Sequence, residues 1–142
     1  VRGLFDVNVL LALFDPGHIH HGATQGWWRA HQGEGWATCP LTQNGFTRII
    51  SKPGYQRSIP LGTAIAVLEA QTSLASHALW TDSMSIADNR VFDRRYILGP
   101  NQITDVYLLA LAVKNAGRLV TLDRAVPLRA VRGAEPHHLV VL

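Results

Sequence analysis

Three aspartates stand just past short apolar runs: Asp6 after Gly3-Leu4-Phe5, Asp105 beyond Tyr96-Ile97-Leu98 and a turn, and Asp123 after Leu119-Val120-Thr121-Leu122. In an open parallel sheet the carboxyl ends of the strands face one crevice, so aspartates far apart in sequence can converge there and share a cation. Oxygen ligands suit a hard divalent ion, which can neutralise phosphoryl oxygens, activate a water and stabilise a leaving oxygen. The trio therefore points to metal-dependent phosphate chemistry. Each aspartate alone is weaker, because Asp also caps helix N-termini. Thr104-Asp105 in particular opens an apolar-periodic segment and would serve as a helix start with no chemistry at all.

The elements that must position this trio follow from hydrophobic period and breakers. Leu4 to Leu13 is nearly continuous apolar apart from Asp6 and Asn8, the pattern of a strand buried on both faces that runs into a helix. His18-Ile19-His20-His21 then precedes an amphipathic stretch through Trp27, Trp28 and Ala30, closed by Gly33 and Gly35 before a strand at Trp36-Ala37-Thr38-Cys39-Pro40. A helix is expected over Leu41 to Ser51, broken by Pro53-Gly54, and a second over Leu61 to Ala75. A strand at His77-Ala78-Leu79-Trp80 and a short helix over Asp88 to Tyr96 come next. Thr104 to Asn115 reads as a helix with Gly117 as its stop, then strands at Arg118 to Leu122 and His138 to Leu142. Alternation of this kind with short connections predicts one α/β domain, a mostly parallel central sheet flanked by helices.

Composition narrows the function classes. A chain of 142 residues, 47% apolar and 16% charged, suffices for one domain with its own core. The net charge of +3 comes from eleven arginines against two lysines, and arginine suits phosphate partners, although a charge this small does not identify a nucleic-acid binder unless it is clustered. A single cysteine, Cys39, excludes a disulfide framework and a cysteine-based zinc site. With no apolar run long enough to span a bilayer and no signal-peptide pattern at its start, the sequence reads as a cytoplasmic protein. His18, His20 and His21 match no tight zinc-ligand spacing, and the four tryptophans read as core or interface anchors.

Four segments together resemble the PIN-domain family, and most closely its VapC-type toxins: Asp6-Val7-Asn8-Val9-Leu10-Leu11-Ala12-Leu13, Ala37-Thr38-Cys39-Pro40-Leu41-Thr42-Gln43-Asn44-Gly45-Phe46, Ile103-Thr104-Asp105-Val106-Tyr107-Leu108-Leu109-Ala110-Leu111-Ala112 and Leu119-Val120-Thr121-Leu122-Asp123-Arg124. They cover nearly the whole chain in the family's order. The resemblance implies a compact α/β/α domain that cuts RNA phosphodiesters with Mg²⁺ or Mn²⁺, acts on structured RNA such as tRNA, forms a homodimer and is silenced by a small VapB-like antitoxin. It also implies that Asp6 and Asp105 are the chief metal ligands, that Asp123 closes the pocket directly or through water, and that Thr121 fills a hydroxyl position.

One position departs from the family pattern. Where the family carries a fourth acidic residue, a glutamate at the start of the third helix, this chain has Gln43. Glutamine keeps the shape and a carbonyl oxygen but cannot take a proton from water. None of the glutamates Glu34, Glu69 and Glu135 is placed to substitute. The expectation is a metal-competent site with weakened activity, on the scale of the about 10²-fold to 10⁴-fold that general bases supply. A non-catalytic PIN module that binds RNA or a protein partner is the alternative. Asn8, expected on the same strand face as Asp6, could hold a ligand carboxylate or be a satisfied turn residue. Arg48 and Arg124 could meet phosphate or form surface salt bridges. A phosphatase using Asp6 as nucleophile lacks the second aspartate two residues on, where Asn8 stands.

Overall fold

Five short strands form one parallel sheet in the computed structural model, which describes residues 1–142. They are β1 (Gly3–Phe5), β2 (Trp36–Thr38), β3 (His77–Leu79), β4 (Arg118–Thr121) and β5 (Leu139–Val141), in the order β3-β2-β1-β4-β5. Five helices connect them: α1 (Val7–Phe14), α2 (His21–Ala30), α3 (Pro40–Ile50), α4 (Leu61–Thr72) and α5 (Ile103–Lys114). No helix is long and apolar enough to cross a membrane.

Successive strand residues point to opposite faces, so the central strands must be apolar on both. Leu4 and Leu119, paired in register, join a core with α5; Phe5 and Val120, the next pair, join a core with α1, α3 and α4. Helices thus cover both faces, and the α/β/α reading of the alternating pattern holds. On the second face Phe5 meets Trp36 with centroids 5.6 Å apart, and Trp27 and Trp28 pack edge-on against Phe5, so the tryptophans act as apolar anchors. Cys39 is fully buried, and that burial pushes its thiol pKa up.

Two local expectations need correction. The segment Asp88 to Tyr96 is not a helix. Asp88 and Asp93 accept the backbone N–H groups of Arg90 and Arg95, two residues on, and these local bonds compete with helical ones. Meanwhile Phe92 bridges antiparallel to Val131, leaving only a 3-10 turn at Arg94–Tyr96. Asp105, in turn, does not follow a strand. Tyr96-Ile97-Leu98 leads into a second 3-10 turn (Pro100–Gln102), and Asp105 sits in the first turn of α5.

The stop of α5 also differs in detail. Ala116 takes the left-handed conformation (φ 52°), while Gly117 donates to the Ala112 carbonyl at 2.9 Å and Ala116 to the Val113 carbonyl at 3.1 Å. Gly117 is needed for closeness: a Cβ there would lie 2.5 Å from the Trp80 ring and 2.7 Å from the Arg2 carbonyl oxygen.

Candidate functional site

The register of β1 and β4 builds the centre of the site. Phe5 pairs with Val120, so the next residues, Asp6 and Thr121, leave the sheet side by side at its carboxyl edge. Asp6 is the N-cap of α1, one carboxylate oxygen accepting the Val9 N–H at 3.0 Å while the other accepts a short hydrogen bond from the Thr121 hydroxyl. The Thr121 oxygen in turn accepts the Asp123 N–H at 3.0 Å, and the Asp123 carboxylate accepts the Ala125 N–H at 2.7 Å. This chain of bonds fixes the loop that follows β4 against the start of α1. Asp105 enters from α5, which packs on both β1 and β4, and there the Asp6 and Asp123 carboxylates bear on its carboxyl group.

The three carboxylates are close enough to disturb one another. Burial raises the pKa of Asp6, opposed by its bonds to Thr121 and the α1 backbone and reinforced by the charge of Asp123. Asp105 is pushed up to about 7, first by burial, then by the charge of Asp6 and by Asp123. None of the three forms an ion pair. Asp15, Asp88 and Asp93, by contrast, each hold an arginine at 2.6 to 3.0 Å. The arginine-rich chain therefore leaves its central carboxylates without a protein cation.

This donor set fits a hard divalent ion, with a limit. No three His, Cys, Asp or Glu side chains are disposed to enclose a cation by themselves. Mg²⁺ and Mn²⁺ tolerate that, because one or two carboxylates plus waters and substrate oxygens complete their coordination. The geometry is that of an open site, not a protein cage.

The remaining candidates divide. Gln43 lies in the second half of the first turn of α3, and its Nε2 donates to the Thr38 hydroxyl at 2.9 Å, not to any of the three aspartates. Thr38 also meets His77 Nε2 at 2.8 Å. Burial lowers the His77 pKa, favouring a neutral ring whose Nε2 can accept. In the tautomer that carries its proton on Nδ1, His77 accepts the Thr38 proton at Nε2 while Thr38 accepts from Gln43, and the Gln43 carbonyl oxygen is left free. Sequence reasoning missed this relay because Thr38 and His77 become neighbours only through the pairing of β2 with β3.

Asn8 needs correction: it lies on α1, exposed, and not on an extended strand, so a two-residue spacing does not place its side chain beside that of Asp6. Its backbone N–H, instead, is among the groups that face Asp6. Arg48 shares with Gln43 and Asn44 a groove of about 670 Å³ between α3 and α4. Arg124 is exposed beside Asp123 and has no acidic partner. Another acidic side chain, Asp82, lies past the end of β3 near Cys39 and Tyr107; an aspartate just beyond a strand was the available signal.

Comparison with known proteins agrees with this architecture. Residues 4–133 match the family model described as PIN domain. Ribonuclease VapC44 of Mycobacterium tuberculosis is 46% identical over 142 residues, the whole of both chains, and Ribonuclease VapC39 of the same organism is 43% identical over 88% of this chain and 91% of its own. The crystal structure of Mycobacterium tuberculosis VapC20, described as a Sarcin-Ricin loop cleaving toxin, has a TM-score of 0.61 at 11% identity and covers 91% of this chain and 98% of that one; it shares the fold.

Proposed function

Because this chain belongs to the PIN-domain family, and within it to the VapC-type ribonuclease toxins, we propose that Asp6, Asp105 and Asp123 form the centre of an Mg²⁺- or Mn²⁺-dependent endoribonuclease. The observation that carries this reading is the convergence of three carboxylates, none with a cationic partner, where β1, β4 and α5 meet. Asp6 and Asp105 would hold the ion, and Asp123 would close the site directly or through a water.

When bound, such an ion supplies neutralisation of the phosphoryl oxygens and a water of lowered pKa. The chain's own residues do the positioning. Thr121 fixes the carboxylate of Asp6 through its hydroxyl and the loop of Asp123 through its oxygen. Gln43 can accept a hydrogen bond from a water at its free carbonyl oxygen but cannot take the proton, so cleavage is slower than with glutamate in its place. Arg48, in the adjoining groove, and Arg124, beside Asp123, would meet substrate phosphates. The substrate class is structured RNA such as tRNA, met in the cytoplasm. A VapB-like antitoxin would cover the site, and the active form would be a homodimer.

A second reading is favoured by one observation: the Gln43 amide is committed to Thr38. On that reading the chain binds RNA or a protein partner and does not cut. Incubating total RNA and purified tRNA with the protein in Mg²⁺ and in Mn²⁺, beside Asp6→Ala and Gln43→Glu, separates the two. Cleavage lost in Asp6→Ala supports the nuclease; RNA binding with no cleavage by either the natural chain or Gln43→Glu supports the binding module.

A further inference from the structure

Six of the eleven arginines lie in two segments distant in sequence, Arg90, Arg94 and Arg95 in the first and Arg124, Arg129 and Arg132 in the second. The fold joins these segments. Phe92 bridges Val131, the Asp93 N–H donates to the Ala130 carbonyl at 2.9 Å, and the Arg132 N–H donates to the Val91 carbonyl at 2.9 Å. The 3-10 turn Arg94–Tyr96 packs on a second one, Leu128–Ala130. Segments 88–96 and 123–132 together hold only three carboxylates, Asp88, Asp93 and Asp123, so this face alone carries the +3 of the whole chain.

The arginines on this face have different duties. Arg90 is tied to Asp88, and Arg95 and Arg132 to Asp93, which fastens the turn. Arg94 and Arg129 are exposed and have neither an ion pair nor a side-chain hydrogen bond. Arg129 sits over the Tyr96 ring at 5.8 Å from its centroid and Arg95 at 5.5 Å, an aromatic flanked by guanidinium groups. The face also leads to the carboxylates. The 94–96 turn runs on through 100–102 into the first turn of α5, where Asp105 lies, while Gln102 Nε2 donates to the Ala125 carbonyl at 3.3 Å, two residues past Asp123.

We propose that Arg94 and Arg129, on the face that also carries Tyr96, are the phosphate-gripping track that guides an RNA strand into the carboxylate site. The proposal rests on RNA being the substrate of that site. An unpaired guanidinium group over an aromatic, Arg129, with a second exposed one two residues before that aromatic, Arg94, is the chemistry that holds a polyanionic strand, by phosphate contacts and by stacking. An acidic protein segment would be attracted by the same charge, but its affinity would not need Tyr96.

The test is RNA binding in EDTA, where no cutting occurs, so that it stands whether or not the chain is a nuclease. A fluorescein-labelled 20-nucleotide stem-loop RNA is titrated at several salt concentrations with the natural protein, Arg94→Ala/Arg129→Ala, Tyr96→Leu, and Arg29→Ala/Lys52→Ala, which removes the same charge elsewhere. The Arg94/Arg129 variant should bind about ten-fold or more weakly near 0.1 M salt, and its salt slope should fall by about 1.4, roughly 0.7 per lost phosphate contact. Tyr96→Leu should weaken binding with an unchanged slope, and Arg29→Ala/Lys52→Ala should bind as the natural protein does. Unaltered circular dichroism and melting in Arg94→Ala/Arg129→Ala exclude a folding defect, and Arg94→Lys/Arg129→Lys should restore the slope. Natural-strength binding by the Arg94/Arg129 variant, an equal loss in Arg29→Ala/Lys52→Ala, or no effect of Tyr96→Leu would each overturn the track. In a parallel Mg²⁺ assay, loss of all cleavage by the natural protein with track-dependent binding retained would overturn the nuclease reading instead.

Discussion

At the scale of single residues, Thr121 and Gln43 define how the carboxylates are presented. Thr121 is fully buried and serves two partners, donating to Asp6 and accepting from the Asp123 N–H. In Thr121→Val the side-chain volume is kept but both bonds are lost, which should lower stability by about 1–3 kcal/mol and weaken Mn²⁺ binding, while Thr121→Ser should retain most of both. Calorimetric titration of Mn²⁺ checks this, and equal affinity in the valine variant would remove Thr121 from the site. Gln43 calls for a different experiment. An ionised glutamate there can only accept, so Thr38 donates to it and His77 Nε2 donates to Thr38, and the added negative charge favours the doubly protonated ring. We therefore expect Gln43→Glu both to speed RNA cleavage, by about 10-fold or more, and to raise the His77 pKa as followed by NMR. Faster cleavage with an unmoved His77 would break the link to the relay; unchanged cleavage would show that the amide is no handicap. The departure at Gln43 was legible in the sequence, but its Thr38–His77 tether was not, since it depends on which strands pair.

At the scale of elements, legibility followed the length of the hydrophobic pattern. The helix of Ile103–Lys114 and the strand of Arg118–Thr121 were plain, because a sustained apolar period and a two-faced apolar run each have few alternatives. Segment 88–96 was misread because two aspartates with local backbone bonds outweigh its helical composition, and the partner that bends it, Val131, lies far away in sequence. The end of α5 was read as a glycine stop, yet the strained residue is Ala116. Ala116→Gly should therefore stabilise the protein, by up to about 1 kcal/mol, because release of left-handed strain exceeds the entropy gained by the unfolded chain. Gly117→Ala should destabilise it by about 1–3 kcal/mol, since the new methyl group meets the Arg2 backbone and the Trp80 ring. Denaturant midpoints of the two variants measure both, and opposite signs are required; a stabilising Gly117→Ala would show that Trp80 gives way freely.

For the whole molecule, the burial of carboxylates without cations and of others with them sets an acid side and an alkaline side to stability. Asp15, buried at the end of α1, accepts from Arg57 and Tyr55 at 2.6 Å each, and the Arg57 bond above all lowers its pKa to about 2. Asp93 is lowered to about 2 chiefly by Arg95. Between the ordinary carboxylate value of 3.8 and about 2, the folded state binds fewer protons than the unfolded chain at these two positions, so the stability they supply is present above that window and is lost as pH falls through it. Asp105 runs the other way. With its pKa raised from 3.8 to about 7, the folded state binds more protons across that interval, and stability falls as pH rises through it. A divalent cation bound at the trio would displace that proton and add its own binding free energy to the folded state. In EDTA the melting temperature should therefore decline from pH 5 to pH 8, less steeply than Asp105 alone would give because the lowered pKa values of His18 and His77 act the other way, and saturating Mn²⁺ should raise it more at pH 8 than at pH 5. Asp105→Asn should flatten the decline in EDTA and reduce the Mn²⁺ shift. A Mn²⁺ shift as large at pH 5 as at pH 8 would mean that the cation does not compete with the Asp105 proton, and would place metal binding away from these three aspartates.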